Sequence, residues 1–216
     1  SEKLRELAKS KGVSVTALMV SMMFIACKSA TDDYKGIINI QVPVNMRNYF
    51  QSRTLRNFSL YCGIKLPLEE IHDIDSILPA VTKQLGEGIS MDNMQEMMNG
   101  AVKLVKSLRL IPLFIKAPVA KIVYGFLGDR VFTTTLSNLG VVDMPAEMSE
   151  HIKKMDFVLG TVAISRAACS MVTAGDTATF SIAKLTADPS FEERMYSLFV
   201  ENNLEPHVSG SELYGS

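Results

Sequence analysis

The chain has 216 residues, 47% hydrophobic and 21% charged, which suits a globular protein with its own core and excludes a disordered or fibrous chain. Lys and Arg number 22 against 23 Asp and Glu, a formal charge of −1, so no overall field draws nucleic acid or an anionic membrane. Cys27, Cys62 and Cys169 are odd in number, widely spaced and set in apolar sequence. They fit buried thiols in a reducing cytoplasm, not a disulfide frame or a cysteine metal site.

The N-terminal SEKLRELAKSKG reads as a short charged helix with Leu4, Leu7 and Ala8 on one side, not a signal peptide. Residues 1–11 are expected to be peripheral. Gly12 breaks this helix, and Ser14 is a good N-cap for the next. That helix, to about Lys28, is apolar nearly all round and should be buried on more than one side. Its apolar run, Val13–Cys27, is too short to span a bilayer comfortably. The turn TDDYKG leads into a β-branched strand, Ile37–Val42, which should end or turn to an edge at Pro43 because proline has no N–H for a ladder. A polar loop follows with Asn45, Arg47, Asn48, Arg53, Arg56 and Asn57, and composition alone favours a solvated turn. Phe58–Leu66 is a second strand.

After Pro67 the period becomes helical over Leu68–Met98, interrupted at Gly86 and Gly88 and restarted by a cap at Ser90, with Asn99-Gly100 as a stop. Residues 101–127 carry Lys103, Lys106, Arg109, Lys116 and Lys121, no acidic residue, and many interleaved apolar side chains, split by Pro112 and Pro118. Two readings compete: a packed helix pair with a solvated lysine face, which is preferred, and an interfacial membrane contact. Further on, Val131–Ser137 reads as a strand ending in Asn138-Leu139-Gly140, Pro145 starts a helical turn, and Met155–Leu159 reads as a strand. Ala167–Thr173 and Thr177–Ala183 form a hairpin around Ala174-Gly175-Asp176. Asp188-Pro189 caps a last helix to about Asn202, and 209–216 should be frayed. With no long linker or repeat, residues 1–216 read as a single α/β domain, a mixed β-sheet covered by helices.

Several chemistries are excluded by inspection: there is no GxxxxGK[ST], GxGxxG, HExxH, CxxC or GxSxG. His72, in HDID, fits a helix start whose acids meet the positive end of the dipole, and His151 and His207 fit the surface. The thirteen methionines suit either a pocket for flexible acyl chains or simple core filling.

VPVNMR followed by LRNFSLYCG, within Ile37–Gly63, and TTTLSNLGVVDMPAEM, Thr133–Met148, resemble segments of the condensation-domain and alcohol acetyltransferase-like proteins. These are members of the CoA-dependent acyltransferase superfamily. SVTALMVSMMFIA before the first segment and MDFVLG after the second fall in the same order, so the resemblance spans roughly residues 12–200. It implies one half of a chloramphenicol acetyltransferase-like, two-lobed fold. In that family the general base is the histidine of an HxxxD motif on the other half. Four residues beyond His72, His151 and His207 stand Ser76, Met155 and Ser211, so no HxxxD begins here and this chain should hold no catalytic residue.

The resemblance further implies roles for particular residues. Arg47 would brace the active site by pairing with the aspartate of the histidine motif, a task for a bidentate and permanently charged group. Asn57, Ser137, Asn138 and Gly140 would line the reaction tunnel or donate to an oxyanion. For the Ser137–Gly140 segment an ordinary strand-to-turn ending stays open on the residues alone. No bound cofactor or metal is expected; the thioester of CoA or of a carrier-protein phosphopantetheine is substrate. The expected partners are a missing N-terminal lobe and acyl-CoA or an acyl carrier protein, but no nucleic acid, and the isolated chain would self-associate. The expected location is cytoplasmic, with 101–127 as the part that would rest on a membrane. The alternative function is a non-catalytic module binding a carrier protein or a membrane surface.

Overall fold

The structure, a computed structural model, describes residues 1–109, 111–112, 114–118, 132–161 and 167–210. The elements run α1 (Glu2–Ser10), α2 (Val15–Ser29), β1 (Ile37–Asn45), β2 (Ser59–Pro67), α3 (Ile74–Gly88), α4 (Met91–Leu108), β3 (Thr134–Val141), α5 (Ala146–Ser149), β4 (Ala167–Ala174), β5 (Thr177–Ala183) and α6 (Ser190–Glu201). The five strands form one mixed sheet in the order β2-β1-β3-β4-β5. Both outer pairs are antiparallel, while β1–β3 and β3–β4 are parallel.

Helix α2 is the centre of the core. Ser14 caps it by accepting from the Ala17 N–H at 3.1 Å, and every residue from Ala17 to Cys27 is buried. Such a helix cannot sit on a surface, because fully burying each large apolar side chain contributes about 1.5–3 kcal/mol. It lies on β1, flanked by α1, α3 and α6. Phe24, Leu18, Met22 and Met23 meet a layer that includes Ile40, Ile64, Leu136 and Met195. Met19, Met46, Met94 and Met171 are also buried, so much of the methionine is core filling. Residues 1–11, expected to be peripheral, include α1, whose Ala8 is buried and whose Leu4 and Leu7 pack on the core. Of 209–216, residues 211–216 lie outside the described residues.

Of the two outcomes expected at Pro43, an end or an edge, the structure has the edge: β1 runs on to Asn45 with its β3 side unpaired, and three other sequence expectations are corrected. Met46 N bonds Phe58 O and Leu68 N bonds Gly36 O, so the even residues of β1 exchange bonds with β2 and the odd ones face β3. Pro43 therefore lacks its N–H on the β3 side, where the parallel register stops at Gln41 and Thr135. Asn99-Gly100 does not stop α4, which continues to Leu108, because Gly100 does not take the positive φ of a C-terminal glycine. Strand β3 starts later than expected and runs through Gly140, whose φ of +74° accompanies a register shift between Asn138 and Val141. Residues 155–159 form no strand; the Phe157 carbonyl instead accepts the Ser170 hydroxyl.

The remaining punctuation agrees with the sequence. Asp73 and Ser76 form a reciprocal capping box at the start of α3, which accounts for HDID. Gly175, at φ +53°, turns the β4–β5 hairpin. Asp188 accepts from the Ser190 N–H at 3.0 Å to start α6. Among the described residues no single helix is long and apolar enough to cross a membrane.

Candidate functional site

The two faces of the sheet differ in chemistry, and alternation along the strands sets the difference. The face toward α2 presents Ile38, Ile40, Val42, Ile64, Leu136, Cys169 and Ile182. The opposite face presents Asn39, Gln41, Thr135, Ser137, Ser170 and Ser181. On β4 this polar face is closed, since Ser170 is fully buried and bonded to the Phe157 carbonyl. Between β1 and β3 it is half-open: Gln41, Thr135 and Ser137 are half-buried. There the Thr135 hydroxyl donates to Gln41 Oε1 at 2.8 Å. Over β2 the rings of Tyr61 and Phe132 meet edge-on, 5.2 Å between centroids. Gly63 fits beneath, where a Cβ would come 3.1 Å from Asn39 Oδ1 and 3.2 Å from the Phe132 ring.

The residues singled out from the sequence gather at one end of this sheet. Strands β1 and β3 finish there and β2 begins there. Arg47 follows β1 directly in a short 3-10 turn, Met46–Asn48, started by Asn45, whose Oδ1 accepts from the Arg47 N–H at 3.1 Å. The exposed guanidinium turns back on its own loop. It donates to the carbonyls of Thr54 at 2.7 Å and Arg56 at 2.9 Å, and Nη1 reaches Asn45 Oδ1 at 3.4 Å. Arg47 is thus the clasp of loop 49–57, held by neutral acceptors and by no carboxylate among the described residues. Asn57 stands exposed at the head of β2 and accepts the Ser59 hydroxyl at 2.7 Å. In the same turn Tyr49 donates to the Ile89 carbonyl at 2.6 Å, and burial, helped by Cys62, pushes its phenol above the usual range.

At the end of β3, Asn138 is tied from both sides. Its amide donates to Thr16 Oγ1 at 3.1 Å, and its Oδ1 accepts from the Gly140 N–H at 2.8 Å. One amide proton is committed and one is left for another acceptor. Gly140 has open space where a Cβ would stand, so its positive φ, not crowding, favours glycine there. Ser137 lies one residue back on the polar face, in register with Ser170. Topology therefore brings Arg47, Asn57, Asn138 and Gly140 to one sheet end and Ser137 beside it. Two surface depressions, one lined by Lys3, Leu7 and Leu204 and the other by Thr31, Asp33, Lys184 and Phe191, contain none of the five. Gln41 and Thr135 were not singled out from the sequence, although polar alternation in INIQV and TTTLS is the signal that marks them. His72, His151 and His207 are exposed.

No family model and no curated protein matches the chain. A solved structure does, one that gives the molecular basis for condensation domain-mediated chain release from the enacyloxin polyketide synthase. The TM-score is 0.50 at 14% identity, over 100% of this chain and 41% of that one. The fold is a condensation-domain-like half-fold. The chain thus spans about two-fifths of the structure it matches, and at that identity the likeness speaks for architecture alone.

Proposed function

We propose that this chain is the C-terminal lobe of an enzyme that moves an acyl group from a CoA or carrier-protein thioester to an alcohol or amine. The observation that carries this reading is the half-fold itself, matched along its whole length to part of a chain that contains a condensation domain. The polar sheet face and the end bearing Arg47, Asn138 and Gly140 support it, since they offer neutral donors and acceptors beside an otherwise apolar core. In this reading the other lobe supplies the HxxxD histidine. That imidazole takes the acceptor's proton, and the acceptor oxygen or nitrogen attacks the thioester carbonyl. The C–S bond then breaks, and the thiolate takes the proton from the imidazolium. This lobe forms one wall of the cleft, with Ser137 on the polar face beside the developing oxyanion, Asn138 fixing the end of β3 from the α2 face, and Arg47 holding loop 49–57 in shape.

Leu139 and Val141, exposed at the end of β3, are the side chains the other lobe would cover. On this reading the isolated chain self-associates through them. The test is thiol release from acyl-CoA and acyl-pantetheine in the presence of simple alcohols and amines. The 216-residue chain alone should give none, and a polypeptide that adds a lobe bearing HxxxD should give turnover. Turnover by the chain alone, or a natural coding sequence with no such motif ahead of Ser1, overturns the proposal.

A further inference from the structure

Helix α4 changes character half-way along. Its apolar stripe, Met94, Met97, Ala101, Leu104, Val105 and Leu108, follows three- and four-residue steps and so occupies one face. Met94 is fully buried, and Met97 packs on the core. From Asn99 to Leu108 every residue is exposed, a length of roughly 15 Å. Leu104 is 60% exposed and Val105 67%, and Phe114, in the next helical turn, is 77% exposed. The stripe thus leaves the body of the protein still apolar.

Charge around the stripe is of one sign. Lys103, Lys106, Arg109 and Lys116 accompany it, none is in an ion pair among the described residues, and no acidic residue occurs between Glu96 and Asp129. This local excess stands out in a chain whose formal charge is −1. Interfaces between proteins are depleted in lysine at their centres. An interfacial helix instead lays its apolar face among lipid chains while long cationic side chains reach anionic headgroups. We infer that the exposed half of α4, with residues 114–118 after it, docks this protein on an anionic lipid surface. Residues 101–109, where the sequence predicts one half of a packed helix pair with a solvated lysine face, are all exposed; residues 119–127 lie outside the described residues.

The test is flotation of the whole 216-residue chain with phosphatidylcholine vesicles containing phosphatidylglycerol, and with pure phosphatidylcholine vesicles. Binding should require the anionic lipid and weaken as salt rises. The double variant Lys103→Glu, Lys106→Glu should lose about tenfold or more in apparent affinity. Leu104→Gln with Val105→Gln should weaken binding comparably without touching charge. All four side chains are exposed, so circular dichroism and the melting temperature should stay unchanged. No binding to anionic vesicles at low salt overturns the inference. So does equal binding by the charge-reversed variant, or protection of 99–108 from hydrogen exchange by another protein lobe without vesicle binding.

Discussion

The side-chain amide of Asn138 donates a 3.1 Å hydrogen bond to the Thr16 hydroxyl, tying the irregular end of β3 to the first turn of the buried helix α2. The same residue accepts from Gly140 N–H and so fixes the positive-φ glycine as well. Replacing Asn138 by Ala removes both bonds from a half-buried site and should cost about 1–3 kcal/mol. Thr16→Val keeps the shape and removes one bond, for about 1 kcal/mol. Denaturant unfolding of both variants and the double variant should give a coupling energy of at least about 0.5 kcal/mol. Strict additivity would show that the bond does not hold these elements together.

Arg47 makes a prediction of a different kind, because its partners belong to one loop. An exposed clasp of neutral carbonyls contributes little to global stability, so Arg47→Ala should shift it by no more than about 1 kcal/mol. Hydrogen exchange and proteolysis within 49–57 should quicken clearly. Arg47→Lys should not restore full protection, since one ammonium nitrogen cannot hold the Thr54 and Arg56 carbonyls, as Nη2 does, and also reach Asn45 Oδ1, as Nη1 does. Unchanged protection of the loop in Arg47→Ala would remove the clasp from the account of the site.

Local chemistry made some of this legible in the sequence. Helix α2 announced itself by being apolar on all sides, and Asp73 with Ser76 marked the start of α3. Less was legible where a residue's meaning depended on a distant partner. Pro43 is compatible with a strand because its missing N–H faces the side where pairing with β3 has ended, and β3 lies some ninety residues away. Residues 155–159 have the composition of a strand but no neighbour in the ladder. The site shares this limit: Arg47, Asn57, Ser137, Asn138 and Gly140 were marked by resemblance, whereas the half-open polar face with Gln41 and Thr135 emerged only when β1 and β3 were seen side by side.

Two glycines of one helix should respond oppositely to the same substitution. At Gly86 nothing lies within 4 Å of an added Cβ, so Gly86→Ala should stabilise by up to about 1 kcal/mol through helix propensity. At Gly88 the added Cβ would sit 2.7 Å from Cys62 Cβ, a contact neither side can relieve by rotating a side chain. Gly88→Ala should therefore destabilise, by about 1–3 kcal/mol after the propensity gain is offset. Thermal unfolding of the two variants decides it, and stabilisation by both would mean that α3 does not press on β2 at Cys62.

That contact also sets the pH response. Burial pushes the Cys62 thiol from 9.0 up to about 11. Cys169 is raised further, by burial first and then by Cys27 beside it. Above the ordinary thiol range the unfolded chain releases these protons while the folded chain keeps them. The unfolded state then binds fewer protons, so stability must fall as pH rises. The contribution is fully present below about pH 9 and is lost as pH climbs toward about 11. Urea midpoints should thus be flat through neutral pH and decline above about pH 9, with a shallower decline in Cys62→Ala. At mildly alkaline pH the native thiols should react slowly with a disulfide reagent, and all three should react once the chain is unfolded. A midpoint that holds steady or rises across that alkaline window, or a rapidly titrating native thiol, would place Cys62 outside the α3–β2 contact.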